Sequence, residues 1–593
     1  MKEFLMKLKS EITLEKVIIR LIMAWILTSL CFFMKSDGNF ATAMYAEQIN
    51  TLMFICYIVL FFISFCALGL FKVFTWVETF GPTILITVYG IMSVQADTKI
   101  SYVIGLMIIL AVAIMYAINK TRIFVEFKRN SAVVIIYVLA ICFYIAVTAC
   151  VCICRHLSYR SGTNGFEIII QMFHGFKTNL KLGTTLDMKS VASYFMTDFS
   201  PIYYLFLPMY CVFPYPVTLL VMQVITVASG IVPVYFLCKK FNLSKSATVA
   251  FAIVYALYPA LACGCYTDLH VSCFYVPLLL WLLYFIEKDD LKMIIAMSVL
   301  TLMVREDAVV YLASIGLYLL IGRKKYAKGT ILTIGSIGFY IVFLILLNRL
   351  GNTAASEGFS NYIVSGEGTL IDVFRNFVVN PGFVIQECFS QDKLQFMLFM
   401  FLPVGFMAVF GKKVTKLILL LPMIFLNLAP DFYEKYSIFY SFAFGVSAIL
   451  IYMSISNYSE MEERTKRFLC AVAICASVIF LPTGTLSQTQ YIIDYMSNRS
   501  EYKEIDEMIA EIPDDASVIA SPAFLAHVSA RDEVYAYPSD EEADIILLDS
   551  RDGQYNSNVI EQFREKGYYV KEQKKDLYVL LEHKSVLLQE NEQ

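Results

Sequence analysis

Five separated groups of ionisable residues stand beside apolar stretches: Glu167, Asp198, the pair Asp268 and His270, the triplet Arg305-Glu306-Asp307, and the group Asp431, Glu434, Lys435 and Tyr436. A charge beside a hydrophobic span is costly unless it has a partner or a task. A loop carboxylate can take a proton from a hydroxyl when its pKa is tuned and it reaches hydrogen-bond distance, which is the chemistry open to Glu167 and Asp198. Histidine titrates near neutrality and a neighbouring carboxylate can fix its tautomer, so Asp268 and His270 read as an acid–base or ligand pair, or as an ordinary solvated helix end. The triplet is sharper, because no glycine, proline or polar spacer separates it from the apolar runs on either side. Arg305 suits a phosphate, with Glu306 and Asp307 positioning it or a metal; a tight turn whose charges pair internally is the alternative. The aromatic residues around Glu434, Lys435 and Tyr436 fit a sugar or lipid headgroup, and fit equally the ordinary preference of Tyr for a membrane interface.

The elements that must position these groups are membrane helices. The 593 residues are 58% hydrophobic and only 16% charged, with a mean hydropathy of +0.65, which excludes an ordinary soluble protein. A spanning helix needs roughly 20 mostly apolar residues, and such runs recur from Ile18 to Leu481, giving about 15 helices. A net charge of −3 offers no basic stripe, so nucleic acid is excluded as a partner. The basic residues before the run Leu21 to Phe33 read as the flank of a retained first helix, because no small-residue cleavage motif follows.

Lys and Arg in short loops mark the cytoplasmic side. With the N-terminus inside, alternate connections are basic, among them those at Lys239 and Lys240, at Arg323 to Lys328, at Lys412 to Lys416 and at Arg464 to Arg467. This alternation puts all five ionisable groups on the outer face. It also puts two longer loops there, 155–216 and 351–392. Within the first, Phe166 to Phe176 has the spacing of an interfacial helix, and Pro201 to Phe213, bracketed by prolines, predicts a short re-entrant or surface helix rather than a span. All cysteines except Cys388 fall in or beside apolar spans, and no disulfide or metal spacing is readable.

Composition changes after Leu481. Residues 487–593 read as a small extracellular α/β domain, with strand-like runs at Ser517 to Ala520, Glu533 to Tyr537, Asp544 to Leu548, Gly567 to Lys571 and Leu577 to Leu581, and helical runs at Glu501 to Glu511 and Asn556 to Lys566. The chain therefore divides into an N-terminal four-helix membrane extension (1–131), a membrane domain (132–486) and this module. No triad, metal spacing or phosphate-cradling loop is found in the module.

The segments FEIIIQMFHG (Phe166 to Gly175), DFSPIYYLFLPMYCVFPYPVTLLVMQ (Asp198 to Gln223), DLH (Asp268 to His270), RED (Arg305 to Asp307) and EKYS (Glu434 to Ser437), in that order, resemble the bacterial membrane-protein family called domain of unknown function 2079. The resemblance runs from about Val133 to the C-terminus, and the block from Ser200 to Gln223 carries its most specific part. That family looks like a branch of the C-type glycosyltransferase fold (GT-C), whose members transfer a sugar from a polyprenyl-phosphate donor on the outer side of the membrane. The resemblance implies a catalytic carboxylate in the first outer loop, which falls on Glu167 where Asp is usual. It also implies His where Asp198 stands, Pro-Glu where Val271 and Ser272 follow His270, and Lys where Arg305 stands.

The reading that results is a polytopic α-helical, GT-C-like protein of the bacterial plasma membrane. Glu167 and Asp198 would be catalytic; Asp268, His270, Arg305, Glu306, Asp307, Glu434, Lys435 and Tyr436 would bind substrate. Its partners would be a polyprenyl-phosphate-linked sugar donor, an envelope glycan, lipid or protein acceptor, and membrane lipid, with a divalent metal ion left open as cofactor. The rivals are a transporter or lipid flippase, and a non-catalytic envelope scaffold.

Overall fold

The computed structural model describes residues 13–35, 49–71, 73–94, 99–121, 127, 129–162, 165–180, 183–186, 192–193, 200–349, 359–362, 379–551, 557–574 and 577–583. Asp198 and most of the second outer loop lie outside the described residues. Among the described residues, nine helices are long and apolar enough to cross a membrane by length and composition, from Leu14–Phe33 to Glu463–Ser497. Five further apolar helices are 10–17 residues long, Pro201–Val212, Leu291–Leu302, Ala308–Gly322, Tyr326–Val342 and Val414–Leu428. The sequence count of about 15 included apolar runs of this shorter kind.

Six helices position the site, and are called here α1 (Asn130–Leu157), α2 (Phe166–Asn179), α3 (Pro216–Ser229), α4 (Tyr275–Lys288), α5 (Phe444–Ser459) and α6 (Pro522–Val528). Proline punctuates the segments between them, because it lacks an N–H and fixes φ. Pro201 starts a 3₁₀ turn, Pro201–Phe206, that passes into the short helix Leu207–Val212, as its bracketing prolines predict. The span Lys245–Tyr266 is interrupted before Pro259, and the chain then leaves helical geometry at Thr267. Residues 267–270 therefore form a non-helical joint between two apolar helices.

The helix predicted over Phe166 to Phe176 forms as α2. It buries Phe166, Ile169, Ile170, Gln171, Met172 and Phe173, with the Phe173 ring 5.3 Å from that of Tyr210. Its other neighbour is α6 of the C-terminal module, so α2 lies between the module and the short helices that follow it.

The module is a five-stranded mixed sheet of β1 (Val518–Ala520), β2 (Val534–Ala536), β3 (Ile545–Asp549), β4 (Tyr568–Lys574) and β5 (Tyr578–His583). Its spatial order is β2-β1-β3-β5-β4. β1 runs parallel to β2 and β3, and β5 antiparallel to β3 and β4. Successive strand residues point to opposite faces. Val518, Ala520, Ile545 and Leu547 accordingly pack with Tyr502, Ile505, Phe524 and Leu525 on one face, while Ile519, Ile546 and Leu548 pack with Val559 and Tyr568 on the other. The sheet lies between two helical layers, as expected when both of its faces are apolar. The module has no free-standing start: the apolar helical run Glu463–Ser497 passes the 486/487 boundary read from composition and leads directly into Arg499–Ala510.

Candidate functional site

The joint at 267–270 is held by two side chains and one backbone amide. Arg155, in the last turn of α1, places Nη1 2.5 Å from Asp268 Oδ1, and the Gly162 N–H donates to Asp268 Oδ2 at 3.0 Å. From α3, fully buried Gln223 donates through Nε2 to the Cys265 and Asp268 carbonyls at 3.3 and 3.5 Å. Its Oε1 accepts the His270 N–H at 2.7 Å. A carboxamide serves here because broken helix leaves both carbonyls and an N–H to satisfy.

Glu167 opens α2 beside this joint. Its Oε2 is buried and has no hydrogen-bond partner among the described residues. Burial, helped by the charge of Asp268, raises its pKa from 4.5 to about 7, which is where a general base works best near neutrality. Asp268 itself is held by Arg155 and Gly162.

His270 faces a second group centred on the ring of Phe442. The imidazole meets that ring edge-on at 5.2 Å, the Arg305 guanidinium lies 5.2 Å from its centroid, and Lys435 Nζ lies 3.8 Å from it. Burial, then the charges of Arg305 and Lys435, lower the His270 pKa to about 3. His270 is thus neutral, and because Nδ1 accepts the Ser272 N–H at 3.2 Å, the proton sits on Nε2. Arg305 pairs with Asp307 and lies 3.8 Å from Glu306; Asp307 also accepts from Tyr275 of α4. The internal pairing weighed from sequence is therefore present. Burial works to raise the Asp307 pKa, but the guanidinium and these hydrogen bonds outweigh it and hold the carboxyl low.

The Asp431–Tyr440 segment closes the group. Asn427 Nδ2 donates to the Lys435 carbonyl at 2.6 Å and to that of Phe442 at 3.3 Å, fixing the turn. Tyr433, Tyr436 and Tyr440 meet ring to ring, at 5.8 and 6.4 Å from Tyr433. Burial raises the Glu434 pKa, and Arg155 acts electrostatically on Tyr440. Glu167, Asp268, His270, Arg305, Glu306, Asp307, Glu434, Lys435 and Tyr436 thus gather at one end of the helices, the end at which the module sits. Sequence reading did not single out Arg155, Gln223 or Phe442. Arg155 at the end of an apolar run was the available signal, since a charge there needs a partner.

The one-sidedness read from sequence needs a correction. A second embedded set lies at the opposite end, because Tyr275 and Glu287 stand about 18 Å apart along α4 at 1.5 Å per residue. Glu287 pairs with Arg323 and accepts from Tyr452 at 2.6 Å. Buried Lys416 bonds Ser456, Asn457 and Glu460 at 2.9, 2.8 and 3.1 Å. A third pair, Arg20 and Glu78, is buried between the first helices at 2.5 Å. From sequence Lys416 and Arg323 read only as markers of sidedness, which hides their partners.

For a divalent cation the described residues fit poorly. They include no group of three or more His, Cys, Asp or Glu able to hold one, and the Asp268 and Asp307 oxygens are already taken by Arg155, Gly162, Arg305 and Tyr275.

A family model described as predicted membrane protein, domain of unknown function 2079 (DUF2079), matches residues 174–580. The chain belongs to this family. The DUF2079 match takes in Gln223, Asp268, His270, Arg305, Lys435 and the module, and starts just after Glu167. A comparison with curated proteins found no match.

Proposed function

We propose that this DUF2079 protein is a membrane glycosyltransferase of GT-C type, moving a sugar from a polyprenyl-phosphate-linked donor to an envelope acceptor on the outer face. The observation that carries the reading is that the 267–270 joint is flanked on one side by Glu167, a carboxylate whose pKa is raised to about 7 beside Asp268, and on the other by Arg305 and Lys435, which share the Phe442 ring with His270. Glu167 would take the proton of an acceptor hydroxyl. The freed oxygen would then attack the anomeric carbon of the donor, and the bond from that carbon to the phosphate oxygen would break. The polyprenyl phosphate leaves with the bonding electrons, and Arg305 and Lys435 would stabilise its growing charge, as fixed cations do for a leaving phosphoryl group. His270, with its proton on Nε2, is a hydrogen-bond donor to the same region rather than a second base. Asp198 remains a proposed partner on the first outer loop.

The positive-residue pattern puts this chemistry outside the bacterial plasma membrane, with the N-terminus cytoplasmic and the module extracellular. The test is transfer from polyprenyl-phosphate sugars in membranes carrying wild-type protein or Glu167→Gln. Loss of about 10²-fold or more is expected for a general base, and undiminished transfer would remove Glu167 from the mechanism. Transport or lipid flipping gains one observation, the second charged set at the opposite end, but its members are closed ion pairs rather than a midplane substrate site.

A further inference from the structure

Residues 155–162 grip two bodies at once. On one side Arg155 and the Gly162 N–H hold Asp268. On the other, His156 stacks flat on His527 of α6, ring centroids 4.1 Å apart and 4° from parallel. The His527 ring also stacks on Tyr159 at 4.1 Å, and its Nε2 lies 3.1 Å from the His156 carbonyl. Tyr159 donates to Asp506 and meets Phe524 edge-on. A Cβ on Gly162 would lie 3.1 Å from that of Ala526, so the loop and α6 are in contact along their length. α2 and the module are tied as well: Gln171 donates to the Asp532 carbonyl at 3.0 Å, and the Thr185 hydroxyl donates to the Val534 carbonyl at 2.6 Å.

Two imidazoles face to face at this distance tolerate neutral rings but not two cations. The groups around them offer little relief. Arg155 on α1 adds positive charge beside His156, and Ser161 Oγ occupies His156 Nδ1 at 2.6 Å. From α2 the neighbour is the ring of Phe166. From the module come Asp506, already bonded to Tyr159, and Arg551, which lies over Phe524 at 5.9 Å. Burial pushes the His527 pKa from 6.5 down to about 4, so the docked arrangement needs the neutral form.

We propose that this joint is a proton-operated coupling: when the stacked imidazoles take up protons the module releases α1, and the segment that anchors Asp268 goes with it. The module thereby regulates Asp268, whose charge helps raise the pKa of the Glu167 carboxyl that the transferase reading uses. That reading supplies only what is regulated; the joint itself stands on the stacking geometry.

The test is hydrogen exchange of the full-length protein in nanodiscs, read on peptides covering 155–162 and 522–528 and corrected for the intrinsic pH dependence of exchange. A histidine that must lose its proton to dock weakens docking about tenfold per pH unit between its free and docked pKa values. For His527 that window is 6.5 to about 4. Wild-type protection of both peptides is expected to fall by at least that factor per unit across the window. His527→Gln keeps a side-chain donor for the His156 carbonyl and should shed a tenfold-per-unit share of the slope; His583→Gln, on β5 of the module, should keep the wild-type slope. Constant wild-type protection across the window, an unchanged slope in His527→Gln, or loss of the slope in His583→Gln would each overturn the proposal. None of these readouts involves sugar transfer, so the joint and the transferase reading fail separately.

Discussion

Arg155 and Asp268 form an ion pair of 2.5 Å across 113 residues of sequence, with side-chain exposures of 12% and 1%. The pair ties the end of α1 to the non-helical joint before α4, and the charge of its Asp268 acts on Glu167. Breaking one side of a buried pair leaves the other charge desolvated, which costs more than the pair is worth against an apolar replacement.

Arg155→Met is therefore expected to destabilise the protein by about 3–5 kcal/mol, read as a lower thermal midpoint in detergent. The double variant Arg155→Met, Asp268→Asn should recover part of that loss, since no buried charge is then stranded. A double variant no better than the single one would show that the contact acts through packing alone.

Glu167 makes a pH-dependent contribution with a definite sign. Its carboxyl is raised in the fold from 4.5 to about 7, so between those values the folded protein holds a proton that the unfolded chain has released. Stability from this group is full below pH 4.5 and is lost as pH rises through 7. Glu167→Gln removes the burden. It should match wild type in thermal midpoint near pH 4.5 and exceed it at pH 8, by on the order of 3–4 kcal/mol at about 1.4 kcal/mol per unit. A stabilising change that abolishes transfer would have the character of a catalytic position held at a cost to the fold. Equal midpoints at pH 8 would mean that the carboxylate is solvated after all.

The parts of the fold written in periodicity are legible from the chain alone. The strand runs read from sequence fall on β1 to β5 with ends shifted by a few residues, because alternation and turn residues are local signals. The short helix after Pro201 and the helix around Glu167 are legible for the same reason. What was not legible is non-local. Gln223 looks like one more polar residue in an apolar run, and only the broken backbone at Cys265 to His270 gives it three hydrogen bonds. His156 and His527 lie 371 residues apart, and no spacing rule joins them. Lys416 reads from sequence as a marker of sidedness and is at the same time a buried structural cation.

Gln223 offers a third prediction. Gln223→Leu keeps the volume roughly constant but strands the His270 N–H and the Asp268 carbonyl in a buried place, where each unsatisfied group costs about 1–3 kcal/mol, while the Cys265 carbonyl keeps the Cys152 thiol at 3.0 Å. The expected outcome is a lower thermal midpoint together with faster hydrogen exchange confined to 266–272, and reduced transfer because His270 and Asp268 lose their register. Gln223→Glu retains the acceptor for the His270 N–H but not the donor to the carbonyls, and should fall between the two. Uniformly faster exchange throughout the helices would instead mark Gln223 as a general packing residue.

Cysteine accessibility separates transfer from transport. Glu306 has a side-chain exposure of 39% and lies at the module end, whereas Glu287 and Lys416 close the opposite end with ion pairs. In a transferase whose site opens to one face, Glu306→Cys should react with a membrane-impermeant thiol reagent from the outer face of intact cells and not from the inner face of inverted vesicles. The native cysteines supply the background, so labelling is read as the increment over wild type. In a transporter that alternates access, the same position would react from both faces, and substrate would shift the ratio. Releasing the closed end is the added test. Lys416→Met strands Glu460, Ser456 and Asn457 and should loosen that end without exposing Glu306→Cys to the inner face. If the double variant labels from both faces, the two ends communicate through the helices, and the transport reading displaces the transferase one.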